Sequence, residues 1–260
     1  MSQELAFKKI FGWPESLKYT LTHYCPGCGH SIAHRLVAEC LDEMGLRGKT
    51  IGVPPVGCAV LAYNYFNFDM VEAPHGRALA VATGIKRVHP DKFVLSYQGD
   101  GDLAAIGTAE TIHAGNRGER ISTIFINNAI YGMTGGQMAP TTLLGQTATT
   151  APGGRDPRLH GHPIDISRML AICDGVVYIE RCSLTSIKQI RRAKKAIKKS
   201  YQCQLDDLGF SMVELLSPCP TNWKLSPKAA WAWVNDEMVK TYPLGVIKDT
   251  TGYEDKKGEK

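Results

Sequence analysis

The sequence lacks long apolar runs, internal repeats and a large excess of charge of either sign. No run of about eighteen apolar residues is present, and a membrane-spanning helix needs about twenty. The first residues do not show the basic, apolar and small-residue pattern of a signal peptide. The net charge is +5, and the basic run at 188–199 has the spacing of a solvated amphipathic helix without an accompanying nucleic-acid-binding motif. We therefore expect a cytoplasmic protein that binds neither membranes nor nucleic acid.

Strand-like and helix-like segments alternate along most of the chain. This alternation predicts an α/β fold with a doubly wound, mainly parallel sheet. A chain of 260 residues can bury a large core, so one compact main domain is expected at residues 1–221. After Pro218 the chain is rich in tryptophan, and we interpret residues 222–260 as a C-terminal extension that contacts another subunit. Residues 254–260 are expected to form a loose tail.

A Gly-Asp-Gly turn lies between two predicted strands. Residues 92–98 are β-branched and aromatic and end at the turn 99–101, and residues 121–126 form a second apolar strand. Residues 102–117 between them favour one helix. The apolar face of that helix is expected to contain Leu103, Ile106, Ala109 and Ile112 or His113. The segment therefore predicts a right-handed βαβ unit with two parallel strands.

Two polar residues follow these parallel strands and are expected at the same edge of the sheet. Asp100 follows the first strand and Asn128 the second. Their oxygens, together with a main-chain carbonyl near Ile130, are the hard ligands that Mg²⁺ prefers. The glycines allow close approach of a diphosphate, and the N-terminus of the 102–117 helix favours its charge. The layout thus predicts a Mg²⁺ diphosphate site.

Four of the eight cysteines occupy positions that suit a metal centre. Cys25 and Cys28 form a CxxC in a glycine-containing turn, and Cys58 and Cys219 each follow a predicted strand. The CxxC alone is compatible with zinc, a redox dithiol or an iron–sulfur cluster, but the lack of a second CxxC argues against a zinc ribbon. Two isolated further thiols favour a cluster assembled within a large fold. The other cysteines are expected to be structural, with the first of them in the core: Cys40, Cys173, Cys182 and Cys203.

Several short motifs occur together in this one chain. They are YCPGCGH at 24–30, PVGC at 55–58, HGR at 75–77, GDGD at 99–102, IG at 106–107 and NNAIYGMTGGQ at 127–137. Over nearly the whole chain, the set resembles the β subunit of 2-oxoacid:ferredoxin oxidoreductases. The resemblance implies a fold that binds the diphosphate of thiamine diphosphate, with Mg²⁺ and one [4Fe–4S] cluster as further cofactors.

The resemblance also assigns the site residues. It implies cluster ligands at Cys25, Cys28, Cys58 and Cys219. It implies Mg²⁺ ligands at Asp100, Asn128 and the carbonyl of Ile130. It implies that the cofactor-binding residues are Gly57, Cys58, His75, Gly99, Asp100, Gly101, Asp102, Asn128, Ile130, Gly132, Met133 and Thr134.

The activity implied is oxidative decarboxylation of a 2-oxoacid with coenzyme A, which yields an acyl-CoA, CO₂ and reduced ferredoxin. Family members with Thr-Lys-Gly-Gln after the Tyr-Gly have a lysine near the substrate, whereas this chain has Gly135. Its Thr-Gly-Gly-Gln form resembles subunits for branched-chain acids such as 2-ketoisovalerate or for 2-oxoglutarate, and we favour the branched-chain acids. The alternatives are a non-redox thiamine diphosphate-dependent lyase or synthase, against which the cysteines argue, and a zinc-binding structural module, against which the Mg²⁺ layout argues.

The glutamate that activates the aminopyrimidine of thiamine is not in any recognisable motif. The resemblance implies that a pyrimidine-binding α subunit supplies it, and that some forms add a small ferredoxin-like subunit. No residue of this chain is firmly assigned as catalytic, and the candidates are His75 and Thr134. His30 is either a donor to the diphosphate or a helix cap, and the loop at 138–165 is expected to be a flap or a subunit contact.

Overall fold

A seven-stranded sheet organises the molecule. The computed structural model describes residues 12–253. The strands are β1 (Thr50–Val53), β2 (Asp69–Met70), β3 (Phe93–Gly99), β4 (Ser122–Asn127), β5 (Val176–Ser183), β6 (Phe210–Leu216) and β7 (Gly245–Asp249). They lie in the order β2-β1-β3-β4-β6-β5-β7, and β7 at the edge is antiparallel to β5 whereas the other pairs are parallel. The predicted mainly parallel α/β fold is confirmed.

Helices cover both faces of this sheet. They are α1 (His30–Glu43), α2 (Ala62–Tyr65), α3 (Ala78–Val88), α4 (Thr108–Asn116), α5 (Pro157–His160), α6 (Ile166–Ala171), α7 (Ile187–Leu205), α8 (Pro220–Trp223), α9 (Pro227–Trp233) and α10 (Val239–Thr241). One core cluster joins α1 and α7 to the sheet, and another joins α3, α4 and α6 to the opposite face. Side chains of β3 alternate between them, since Leu95 and Tyr97 face the first cluster and Val94 the second.

The helix predicted at 102–117 is wrong in one respect, because it is interrupted. Residues Asp102–Ile106 form a π-helical turn closed by the amide of Gly107 on the carbonyl of Asp102 at 2.8 Å, and α4 starts only after it. A π turn adds one residue and rotates all later side chains around the axis. Ile106 and Ala109 therefore point to solvent rather than to the core. At this turn Gly107 packs closely on Gly76, and no side chain would fit, because a Cβ at Gly107 would lie 2.9 Å from the carbonyl oxygen of Gly76.

The C-terminal segment contributes to the sheet as well as to the surface. Within it, α9 and α10 precede β7, which pairs with β5. The residues predicted to form a tail, 254–260, lie outside the described part of the chain. Cys40 is fully buried in the core, as predicted.

Candidate cofactor site

Four neighbouring parallel strands end at the same edge of the sheet. The register pairs Gly99 of β3 with Ile126 of β4 and Asn127 of β4 with Leu216 of β6, and β1 lies on the other side of β3. From β1 the chain passes to β2 on one side of β1 and then crosses to β3 on its other side, so the strand order reverses here. The crevice beyond the carboxyl ends of strands at such a reversal is the usual ligand site of an open α/β sheet.

A cavity of about 140 Å³ occupies this edge, and we call it the carboxylate cavity. All twelve of the residues predicted to bind cofactor line it: Gly57, Cys58, His75, Gly99, Asp100, Gly101, Asp102, Asn128, Ile130, Gly132, Met133 and Thr134. The lining also includes Tyr131, whose ring lies 2.9 Å from the position of a Cβ at Gly101. Glycine at 101 therefore leaves room for that ring beside the turn.

Asp100 is a buried carboxylate without a cationic partner among residues 12–253. It is 4% exposed. Its Oδ1 accepts the amide of Gly101 at 2.9 Å, and its Oδ2 accepts the hydroxyl of Thr141 at 2.8 Å. Burial raises the pKa of Asp100 to about 6, against which these donors act. The ionised form would be favoured by a cation in front of it.

Oxygen atoms of Asp100, Asn128 and Ile130 lie close together. The outer end of the Asn128 amide lies 3.2 Å from Oδ2 of Asp100 and 2.7 Å from the carbonyl oxygen of Ile130. With its oxygen in that position, the amide faces these two acceptors, and with its nitrogen there it donates to both. Ligand oxygens that share one Mg²⁺ octahedron lie about 3 Å apart, since each is about 2.1 Å from the ion. The first orientation therefore fits a cation held by three oxygens.

A strained turn holds these oxygens in place. Ala129 has a φ of 55°, which is left-handed and uncommon for a residue other than glycine. Its amide donates to Oδ1 of Asn127 at 3.1 Å, while the Asn127 amide nitrogen donates to the buried Glu214 at 2.8 Å. Asn127 thus connects the turn to the interior of the sheet.

The other predicted residues have partners within the chain. Asp102 is buried and accepts bonds from the amide of Gly76 and, at 2.5 Å, from the side chain of Gln98. His75 uses Nδ1 to donate to the carbonyl of Val56 at 2.9 Å. Its Nε2 makes no hydrogen bond with residues 12–253. The hydroxyl of Thr134 donates to Gln137 at 2.6 Å. Asp102 therefore fixes the turn that carries His75.

His30 begins α1 without a side-chain capping bond and lines the carboxylate cavity. Its Nδ1 lies 2.8 Å from the hydroxyl of Tyr97, and its ring stacks on Tyr24 with centroids 4.5 Å apart. Burial lowers the pKa of His30 to about 3, so the ring is neutral. The capping alternative is thus not seen, and a donor role toward a diphosphate stays a prediction.

The loop at 138–165 is ordered around one buried arginine, Arg155, which is 5% exposed. The guanidinium donates to six main-chain carbonyls, those of Ala139, Pro140, Thr142, His160, Gly161 and His162. Each of these bonds brings two parts of the loop together. The loop then reaches the site, because Thr141 donates to Asp100 and Thr142 donates to the carbonyl of Ala129 at 2.7 Å.

Thr141 is a positioning residue that the sequence analysis missed. We expect Thr141→Val, which keeps the shape but removes the donor, to weaken Mg²⁺-dependent thiamine diphosphate binding about tenfold, because a hydrogen bond to a charged group contributes roughly 1.5 kcal/mol or more. Thr141→Ser keeps the hydroxyl and should bind almost as the wild type does. Isothermal titration of both variants, co-expressed with the pyrimidine-binding subunit that the resemblance implies, measures the difference. Equal affinities for the two variants would contradict the role.

A second cavity of about 200 Å³ adjoins the first, and we call it the thiol cavity. Cys25, Cys28, Cys58 and Cys219 all line it. Burial, together with neighbouring thiols, raises the pKa of Cys28 and of Cys58 to about 12. The two cavities share part of their lining, namely Cys58, Asn128, Gly132 and Met133.

Local packing brings the CxxC turn to the strand ends. The amide of Cys28 donates to the carbonyl of Cys25 at 3.0 Å, and the amide of Gly29 donates to Oγ of Ser217, which follows β6, at 3.2 Å. Within residues 12–253 no group of three or more His, Cys, Asp or Glu side chains is arranged to hold a metal ion. The thiols instead surround a cavity, and the oxygens near Asp100 belong to one carboxylate, one amide and one carbonyl.

Comparison with known proteins agrees with this arrangement. The family described as thiamine pyrophosphate enzyme, C-terminal TPP binding domain, matches residues 55–212, which include Asp100 and Asn128. A ketoisovalerate oxidoreductase subunit VorA of Methanothermobacter thermautotrophicus is 50% identical over 93% of this chain and 53% of its own length. A 2-oxoglutarate synthase subunit KorB of Methanocaldococcus jannaschii is 40% identical over 76% of this chain and 69% of its own length. The chain belongs to the 2-oxoacid:ferredoxin oxidoreductase family.

A solved structure shares the fold. It is the 2-oxoglutarate:ferredoxin oxidoreductase from Magnetococcus marinus with 2-oxoglutarate, coenzyme A and succinyl-CoA bound, at a TM-score of 0.74 and 24% identity over 94% of this chain and 87% of that one. The chain described here spans about half the length of the ketoisovalerate oxidoreductase subunits that it matches. None of the helices in residues 12–253 combines the length and hydropathy that a membrane crossing requires.

Proposed function

We propose that this chain is the β subunit of a 2-oxoacid:ferredoxin oxidoreductase, which holds the diphosphate of thiamine diphosphate through Mg²⁺ and carries a [4Fe–4S] cluster beside it. The observation that carries the proposal is the shared wall of the two cavities. One cavity presents the oxygens of Asp100, Asn128 and Ile130, and the other presents four thiols. A cofactor and its electron acceptor would thus be adjacent, at the ends of strands of one sheet.

The carboxylate cavity supports the Mg²⁺ assignment. Asp100 is a buried carboxylate that needs a positive charge, and the amide of Asn128 and the carbonyl of Ile130 lie within the spacing of an octahedral shell. Gly99 and Gly101 keep the turn free of side chains where a diphosphate would approach. When bound, thiamine diphosphate would supply the chemistry that stabilises negative charge on the former carbonyl carbon of the substrate.

The thiol cavity supports the cluster assignment over the two alternatives for the CxxC. A reactive dithiol requires a lowered thiol pKa, whereas burial raises that of Cys28 to about 12. A zinc ribbon would normally show a second CxxC, whereas Cys58 and Cys219 are isolated in the sequence. Four thiolates around a cavity fit a cluster, whose binding requires their deprotonation.

The lining supports a branched-chain 2-oxoacid as substrate. The side chains of Val56 and Met133 are 42% and 45% exposed at the carboxylate cavity, and its described lining contains no lysine or arginine. The second carboxylate of 2-oxoglutarate calls for a cation, whereas a branched aliphatic chain packs against apolar side chains. The ketoisovalerate oxidoreductase subunit is also the more similar of the two relatives named above.

The residues of this chain would bind and orient rather than complete the reaction. The candidates for contact with the reacting end are His75, whose Nε2 makes no hydrogen bond within the described residues, and Thr134. We propose that a pyrimidine-binding α subunit supplies the activating glutamate, and that coenzyme A and ferredoxin act as acyl and electron acceptors. Some forms of the family add a small ferredoxin-like subunit. Residues 222–260 are proposed to contact a partner subunit, and residues 1–221 to hold the cofactors.

Co-purification with the partner subunits followed by an assay of coenzyme-A-dependent viologen reduction tests this function. We expect a complex that reduces viologen with 2-ketoisovalerate at a higher kcat/KM than with 2-oxoglutarate. The advantage should be roughly tenfold or more, since an unpaired buried carboxylate costs more than 1.4 kcal/mol. Equal or reversed preference would contradict the substrate assignment. Turnover without viologen reduction would favour the non-redox lyase or synthase.

A further inference from the structure

One amide group joins the walls of the thiol and carboxylate cavities. Asn222 lies in α8, three residues after Cys219. Its Nδ2 donates to Sγ of Cys219 at 3.3 Å and to the carbonyl oxygen of Gly132 at 2.8 Å. The side chain of Asn222 therefore connects one thiol of the thiol cavity to the main chain that lines the carboxylate cavity.

The surroundings fix the orientation of this amide. If the side chain were turned over, its oxygen would face the carbonyl of Gly132 and the sulfur, which are both acceptors. On its other side the amide packs against Gly136, where a Cβ would lie 3.1 Å from Oδ1. Gly136 has a φ of 87°, a conformation that glycine adopts without strain. The loop after β4 is thus shaped to seat Asn222.

Gly132 makes the contact between the two cavities close. A Cβ at this position would be 3.2 Å from Sγ of Cys58 and 3.5 Å from Sγ of Cys219. The main chain at Gly132 consequently passes directly beside two thiols, and its carbonyl is held by Asn222. A change in the charge on the Cys219 sulfur would therefore change the hydrogen bond from Asn222, which also holds the wall of the carboxylate cavity at Gly132.

We propose that Asn222 raises the reduction potential of the cluster held by the thiol cavity through its hydrogen bond to Cys219. The inference rests on the cluster of the proposed function. One-electron reduction places additional negative charge on the cluster and its ligand sulfurs, and N–H donors stabilise that charge more than they stabilise the oxidised form. Loss of the side-chain donor therefore makes the cluster harder to reduce.

A redox titration with dithionite, followed by electron paramagnetic resonance on the purified complex, tests the inference. For Asn222→Leu we expect the ratio of reduced to oxidised cluster at a fixed potential to fall about tenfold, which is a shift of about 59 mV for one electron. Asn222→Asp, which has the same shape and no donor when ionised, should shift at least as far in the same direction. Thr221→Val, on the exposed side of the same short helix, should leave the potential unchanged.

Each result separates this inference from the proposed function. A wild-type complex without iron and sulfide would overturn the cluster itself. A wild-type complex with a cluster, together with Asn222→Leu of equal iron content and equal potential, would overturn only the inference. If the Asn222→Leu complex lost its iron, the reduction potential would be measured on the Asn222→Asp complex instead. Loss of iron in both variants, with retention in Thr221→Val, would show that Asn222 is needed for assembly and would overturn a tuning role.

Discussion

Replacement of Cys219 by alanine should yield a complex that lacks the cluster, with iron and acid-labile sulfide close to zero. Cys219 is 8% exposed and lines the thiol cavity beside Gly132, and no cysteine of residues 12–253 other than Cys25, Cys28, Cys58 and Cys219 lines that cavity, so no spare thiol is available to replace it. Removal of one of the four proposed ligands would also leave the proposed cluster open to solvent and oxidation. Anaerobic purification followed by iron and sulfide analysis and a visible absorption spectrum measures the loss.

A matched substitution is available in the same chain. Cys173 is partly buried and lies outside both cavities. It packs against the core cluster that joins α3, α4 and α6 to the sheet. Cys173→Ala removes the same atoms and should retain the full iron content, with a stability change of about 1 kcal/mol at most. Wild-type iron content in Cys219→Ala would contradict the ligand assignment. Stoichiometric zinc and no visible absorption in the wild type would favour the zinc-binding module instead.

The places of Asp100 and Asn128 in the carboxylate cavity could be predicted from local signals, whereas most of the other lining residues were implied by the family resemblance. Residues 92–98 and 121–126 each show a strand pattern, and a right-handed crossover then places Asp100 and Asn128 at one edge whatever the rest of the chain does. The same reasoning placed Cys58 and Cys219 beside them. These predictions depend on strand ends and on the handedness of the fold, and neither depends on detailed packing.

Contacts between distant segments could not be predicted in this way. Thr141 lies 41 residues from Asp100, in a loop whose shape is set by the bonds of the single side chain of Arg155 to main-chain carbonyls. No periodic pattern identifies which arginine of a Gly- and Pro-rich loop is buried. The π turn before α4 was missed for a related reason, since it lies where Gly107 packs on Gly76, about thirty residues away in the sequence, and it changes which side chains face the core.

Replacement of Asp100 by asparagine should abolish Mg²⁺-dependent binding of thiamine diphosphate while it stabilises the protein in the absence of metal. The first effect follows because the charged ligand is lost, and an amide oxygen is a much weaker ligand for a hard cation. We expect the dissociation constant to rise at least about a hundredfold, or beyond detection, as for loss of a buried charge contact of roughly 3 kcal/mol. Isothermal titration of the complex with and without Mg²⁺ measures it, and Asp174→Asn, a change at a distant exposed aspartate, is the control.

The second effect distinguishes a cation ligand from an ordinary buried acid. Burial raises the pKa of Asp100 to about 6, above the value of about 3.9 in an unfolded chain, so the ionised group destabilises the folded state above pH 6 and not below pH 4. With a chelator present, Asp100→Asn should therefore unfold at a higher denaturant concentration than the wild type at pH 8, and its free energy of unfolding should be larger by at most about 3 kcal/mol. Near pH 4 the two proteins should unfold at the same denaturant concentration. A loss of stability at pH 8 would instead mean that the carboxylate stabilises the fold through its bonds to Thr141 and Gly101, and the cation assignment would lose its main support.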